Sequence, residues 1–262
     1  MIVYNNKYGT TFGCANAGDT LIRHSYRDYG LFPVSKPVFE PPEPKILTVD
    51  IPGADGEIDY TEALTGDVHY ETRKGTFSFV GLGGRQTWEG IYHRMLNDLH
   101  GKRMGVITDE DSGGYYYGRL SVKPPKYDSK AGGRVYIDVE GDFYPYRYDL
   151  YSTVDPWVWD TFPFPTGIIR NYKDITIQNG GTVTIVGGAM PVVPDVVVKS
   201  ISGTVTMWYP SVDTSNGRNS ITLTLGSQRD KTPDFVIRSG EYALSVIGGP
   251  VTFDIVYREG AL

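Results

Sequence analysis

Thiol and imidazole are scarce in this chain, which has one cysteine, Cys14, and four histidines in 262 residues. A lone cysteine cannot form an internal disulfide, so the fold must hold without covalent staples. No histidine accompanies Cys14 in a familiar nucleophile arrangement, which makes it a buried or incidental thiol. His93 and His100 are seven apart, with no third histidine, cysteine or aspartate at zinc spacing, so both are read as solvent-facing. Basic clusters are missing too: 25 basic residues against 31 acidic ones leave a net charge of −6. That balance argues against a phosphate-binding surface and against nucleic acid as a ligand. No apolar run reaches membrane-spanning length, and the opening MIVYNNKYG lacks a basic segment followed by an apolar one, so neither membrane insertion nor a secretory leader is expected. Catalytic signatures are also lacking: there is no G-x-S-x-G, no H-E-x-x-H and no phosphate-binding loop. Paired glycosidase carboxylates leave little trace in a sequence, but nothing here nominates a convergent site. The chain is read as a non-enzyme, with no catalytic residue, cofactor or metal assigned.

What is present is mainly β patterning. The length favours two domains of about 100–150 residues over one, placed at 1–150 and 151–262. In the first, Ile2, Tyr4, Leu21 and Arg23 mark one or two edge strands between glycines. Prolines 33, 37, 41, 42, 44 and 52 remove too many amide donors for a helix or a central strand. This stretch therefore reads as an extended arm with one strand at 46–51. Its apolar residues Val38, Phe39, Ile46, Leu47 and Val49 need a cover, supplied by the domain surface or by a neighbouring subunit. Strands follow over 68–80, with a turn at Lys74-Gly75. GLGG at 81–84 then leads into a helix, but Gln86 stands where a dinucleotide fingerprint needs its third glycine. The helix is the clearest local element. Trp88, Ile91, Tyr92, Met95, Leu96 and Leu99 form one stripe, Thr87 caps the start and Gly101 ends it. A hairpin (104–108 and 115–122, with an acidic turn at 109–114) and a strand at 133–141 complete the domain.

Residues 143–170 are rich in aromatics and proline without a clean period, and read as an interdomain joint. Trp157, Trp159, Phe162 and Phe164 have the apolar faces that stack on sugars. Beyond 170 the pattern is uniformly β, over 174–179, 182–187, 194–200, 204–209, 220–226, 234–240, 241–248 and 250–257, which predicts a two-sheet sandwich. Alternation puts Val183 and Ile185, or Ile221, Leu223 and Leu225, on one face. Trp208 and Tyr209 are further candidate contact rings for a glycan or partner.

The stretch DIPGADGEIDYTEALTG (50–66) is a shaped loop, turned by Pro52-Gly53 and Asp55-Gly56. Its acidic spacing matches only the second half of an EF-hand loop. Ile51 and Gly53 occupy the first and third ligand positions, which leaves too few oxygens for calcium. Together with GTFSFVG (75–81), WEGIYHRMLNDLHGKRMGVI (88–107), YYYGRLSV (115–122), the approach DYGLFPVSKPVFEPPEPKILTVDIPG (28–53) and the ending VTFDIVYREGAL (251–262), this stretch resembles the distal tail (Dit) proteins of long-tailed, non-contractile phages. The resemblance covers most of residues 20–150 and the remainder loosely. It implies a RIFT-related N-terminal β-barrel or sandwich with one amphipathic helix, and a C-terminal galectin-like jelly roll. It further implies a virion protein made in the host bacterial cytoplasm and placed at the tail tip, a homo-oligomer, specifically a hexameric ring. That ring would join the tail tube to the tail-tip hub and support receptor-binding components, while DNA passes through its lumen unbound. Asp50, Asp55, Glu57, Asp59 and Glu62 would suit such a lumen. The alternative is a carbohydrate-binding adhesin for host glycans.

Overall fold

Along the strand Arg73–Leu82, Phe77 and Phe79 are buried while Lys74 and Thr76 face water, so one face of its sheet makes a core and the other meets solvent. The computed structural model describes residues 8–53, 55–82, 85–128, 133–156, 170–211 and 215–262, and the chain divides into two units, Met1–Arg147 with Leu262 and Tyr148–Ala261.

In chain order, the first unit contains strands β1 (Thr10–Phe12), β2 (Arg23–His24), β3 (Phe32–Pro33), β4 (Val38–Phe39), β5 (Thr48–Asp50), β6 (Glu57–Asp59) and β7 (Arg73–Leu82). Helix α1 (Arg85–Leu99) follows, then β8 (Arg103–Thr108), β9 (Asp111–Val122), β10 (Lys126–Asp128) and β11 (Arg134–Asp149). The main sheet runs β2-β1-β8-β9-β11-β7-β3, with β4 also on β7 and β10 on β11, whereas β5 and β6 pair only with each other. Phe12, Phe77, Phe79 and Phe143 interlock edge to face, with ring centroids 5.8 to 6.1 Å apart. Helix α1 adds Trp88, Met95 and Leu99 to the same core, with Ile91, Tyr92 and Leu96 packed at its margin. The stripe expected from the sequence is therefore the docked face. Gly81 is where the indole lies, since a Cβ there would stand 2.2 Å from the Trp88 ring. Gly101, at φ +73°, ends the helix as expected.

Several local expectations need correction. Helix α1 begins at Arg85, so Thr87 lies within its first turn and is not its cap. Lys74-Gly75 is not a turn: β7 runs straight through it, pairing Lys74 with Asp142 and Gly75 with Gly141. Glycine is needed there because Phe143 lies across the strand, leaving 2.5 Å between its ring and a Cβ at position 75. β9 begins at Asp111 and β11 continues to Asp149, so the chain reverses through Asp109 and Glu110 alone and the aromatic run YPYRYD is strand.

The second unit has two four-stranded antiparallel sheets. One is formed by β12 (Ile175–Ile177), β14 (Asp195–Ile201), β17 (Gly226–Ser227) and β19 (Val251–Val256), in the order β12-β19-β14-β17. The other is β13 (Thr182–Gly187), β15 (Thr206–Pro210), β16 (Arg218–Thr222) and β18 (Gly240–Ile247), in the order β13-β18-β15-β16. Ile185, Val196, Val198, Met207, Leu244, Val246, Phe253 and Ile255 are buried, on alternate positions of their strands. The expected strand at 220–226 breaks after Thr222, which leaves Leu223 buried and Leu225 exposed. Of the expected strand at 234–240, residues 234–239 form only a bridge between Val192 and Ile237, and Gly240 already belongs to β18. The C-terminal segment clamps the start of this unit: Thr153 N–H donates to the Tyr257 carbonyl (3.1 Å), Asp149 N–H to that of Glu259 (2.9 Å), and Arg258 to those of Asp149 and Leu150.

Candidate functional site

The β5–β6 hairpin is the feature of the first unit that its own packing does not explain. All six strand residues are exposed, on both faces, with Val49 directly opposite Ile58. The flanks are as open, Ile46 being 68% and Leu64 90% exposed, with Leu47, Ile51 and Tyr60 also at the surface. A two-stranded ribbon is at best marginally stable alone in water. Here Thr61 holds its base: its Oγ1 accepts from Leu47 N–H, and its own N–H donates to Asp59 Oδ1 (2.8 Å). That bond and the side-chain contact with Thr61 hold the Asp59 carboxyl below its ordinary pKa. Asp59 therefore shapes the hairpin.

Within the arm, Phe39 does find cover, stacked on Tyr116 at 3.7 Å between centroids, while Val38, Ile46, Leu47 and Val49 stay exposed. Charge is concentrated in the same place. Residues 40–71 hold nine of the 31 acidic side chains and one of the 25 basic ones, a net of −8, and the remaining 22 acids and 24 bases come to +2. The sequence shows this concentration, but only the fold shows that Asp50, Asp55, Glu57 and Asp59 share an exposed ribbon with bare Val49 and Ile58.

The titratable clusters elsewhere are bonded inward. Asp98 accepts from Arg23 and from the Tyr29 hydroxyl, both at 3.0 Å. Asp19 Oδ2 accepts from Cys14 N–H and Gly105 N–H, and Cys14 itself is buried. His24 Nδ1 accepts from the N–H groups of Tyr26 and Arg27, so its proton sits on Nε2, facing Asp109 at 3.1 Å. His93 and His100 are exposed, and His100 Nδ1 accepts from Val122 N–H. Asp234 accepts from Tyr209, Ser211 and Asn219, and these donors hold its carboxyl below the ordinary value despite burial. Glu259 is different. Its Oε1 accepts from Gly188 N–H (2.9 Å) and stands 3.7 Å from Arg170, while its buried Oε2 has no hydrogen-bond partner among the described residues, and burial raises its pKa. None of these carboxylates stands with a second one in an open acid–base pair.

Of the four candidate rings, Trp157 and Trp159 lie outside the described residues, as do Phe162 and Phe164. Tyr209 is 1% exposed, its hydroxyl on Asp234 at 2.9 Å, so it belongs to the interior of the second unit. Trp208 is 40% exposed and shares an outward row with Ser220 and Ser245. Thr182, opposite Ser245, extends that row, and Thr206 and Thr222 stand beside it.

No protein-family model and no curated protein matches the sequence. Among solved structures, the fold is similar to the SPP1 Dit (gp 19.1) protein, described as a paradigm of the hub adsorption apparatus in phages infecting Gram-positive hosts. The match has a TM-score of 0.58 at 11% identity and covers 97% of this chain and 99% of that one. A chain from the tail of an empty GTA particle aligns over 53% of this chain and 94% of its own, at 9% identity and a TM-score of 0.30, too low to support an argument. The mainly β chain with one helix thus has the fold of the SPP1 Dit protein along nearly its whole length.

Proposed function

We propose that this chain is a structural component of a phage tail tip. Six copies form a ring through residues 1–150, joining the tail tube to the tail-tip hub, and residues 151–262 project outward to support adhesion components. The observation that carries this reading is the agreement of fold with SPP1 Dit across 97% of the chain, one alignment spanning both units. The exposed hairpin gives it a physical reason. Covering an aliphatic side chain such as Ile46, Leu47, Val49 or Ile58 stabilises by about 1.5–3 kcal/mol, and a partner molecule would cover those that the described residues leave bare. A contact between two different surfaces of one chain is heterologous and closes into a ring under cyclic symmetry. Gold-labelled antibody against the chain, viewed by electron microscopy on tailed particles, is expected to mark the tail tip. Label on capsids or along the tube would overturn the proposal.

Trp208 supports a second reading, adhesion to host glycans. Its row and the neighbouring Thr206 row carry hydroxyls and no charge, a surface matched to the C–H faces and hydroxyls of a neutral sugar. A glycan array separates the two readings: adhesion requires specific signal that is lost in Trp208→Ala.

A further inference from the structure

In the register of β8 and β9, Arg103 stands directly opposite Arg119. Like charges in that position repel, and a sheet gains nothing from placing them there. Lys102 adjoins the pair and is exposed, as both arginines are. Arg119 spends one hydrogen bond on the Gly101 carbonyl (2.5 Å), and the Arg103 guanidinium lies 5.7 Å from the centre of the Tyr144 ring. Tyr144 in turn stacks parallel on Tyr117, centroids 6.1 Å apart. Six other cations of this unit are paired within it: Arg23 with Asp98, Lys36 with Glu110, Lys74 with Asp142, Lys123 with Glu140, Lys126 with Asp138 and Arg147 with Asp111. Lys102, Arg103 and Arg119 make no ion pair among the described residues, so they form an uncompensated basic face with an aromatic floor.

The hairpin is its complement. Asp50, Asp55, Glu57 and Glu62 are exposed and form no ion pair among the described residues, and Asp50 and Glu57 share one face of the ribbon while bare Val49 and Ile58 occupy the other. The rest of the first unit carries 16 bases against 11 acids, so it is net +5 where residues 40–71 are −8. We propose that the partner of the acidic hairpin is a second copy of this chain, docked on Lys102, Arg103, Arg119, Tyr117 and Tyr144. Docking turns the Asp50–Glu57 face of the ribbon towards the opposed arginines, whose charge the carboxylates neutralise. The two surfaces differ, so each copy presents a hairpin and a receiving face, which is the head-to-tail arrangement a ring needs. This assignment rests on the proposed ring and names the contact that builds it.

The test is a charge exchange read by light scattering and chemical crosslinking of the full chain at high concentration and low salt. One variant reverses the hairpin (Asp50→Lys, Glu57→Lys) and another reverses the face (Arg103→Glu, Arg119→Glu). Wild type is expected to self-associate, with affinity falling at least tenfold as salt rises, and each variant alone is expected to stay monomeric while keeping the wild-type circular dichroism spectrum. Mixing the two variants should restore association, because the hairpin of one then meets the face of the other with opposite charge. Loss in both variants without recovery on mixing overturns the assignment. Oligomers indifferent to either reversal also overturn it while leaving the ring intact. A wild-type chain that stays monomeric and uncrosslinked throughout overturns it too, and the tail-tip label then decides separately on the ring.

Discussion

Arg103 and Arg119 face each other across β8 and β9 with no carboxylate between them, and in the same unit Asp50 and Glu57 face each other across β5 and β6 with no cation between them. Each pair is locally unfavourable, since like charges directly opposite on adjacent strands destabilise a sheet. Arg103→Glu places opposite charges across β8 and β9. The folded chain is expected to keep its stability to within about 1 kcal/mol, measured by urea unfolding, while self-association falls.

The hairpin is expected to contribute little to the stability of the isolated chain. Ile58→Lys replaces an exposed side chain, so its unfolding midpoint should match wild type to within about 0.5 kcal/mol. The same substitution adds a cation to the acidic hairpin and should weaken association. A large stability loss would mean that Ile58 is already covered within one chain.

Gly81 and Trp88 fix how α1 lies on β7. A methyl group at Gly81 meets the indole at 2.2 Å, so Gly81→Ala should cost about 1–3 kcal/mol by overpacking. Chemical unfolding followed by tryptophan fluorescence reads both the loss and the displaced ring.

Two carboxylates in the second unit give opposite pH dependences. Asp234 is held below its unfolded pKa by its donors, so its contribution is present above about pH 4 and is lost as pH falls through its folded value. Asp234→Ala removes the acceptor shared by Tyr209, Ser211 and Asn219 and should cost about 1–3 kcal/mol at neutral pH. Glu259 is raised by burial, so its contribution is full below its unfolded pKa and is lost as pH rises through its folded value. Glu259→Gln should flatten that alkaline-side loss and leave the acid side unchanged, as thermal melts across pH would show.

Legibility in the sequence followed the range of the interaction. The α1 stripe from Trp88 to Leu99 and the alternation in β7, β13, β18 and β19 are local patterns, and the structure realises them. Lys74-Gly75 looked like a turn because the cause of the glycine, Phe143, lies 68 residues on. The end of β11 was hidden because YPYRYD has no apolar–polar alternation, its residues from Pro145 onward being half-buried on both faces. DFVIRSG alternates convincingly, yet before Gly240, where β18 begins, Ile237 alone finds a β partner, in an isolated bridge to Val192. In the candidate site, the turn residues Pro52-Gly53 and Asp55-Gly56 pointed to a shaped loop, and the acidic residues were visible as composition. The opposition of Arg103 and Arg119 was not, because it exists only once the register of β8 on β9 is fixed.

The central claim is that this chain works by docking to copies of itself at the end of a tail, and a cryo-electron reconstruction of tailed particles carrying it tests that most directly. The account predicts a closed ring of six copies between tube and hub, each hairpin seated on the Arg103–Arg119 face of its neighbour. Density showing single copies, or the chain at any other place in the particle, would contradict it.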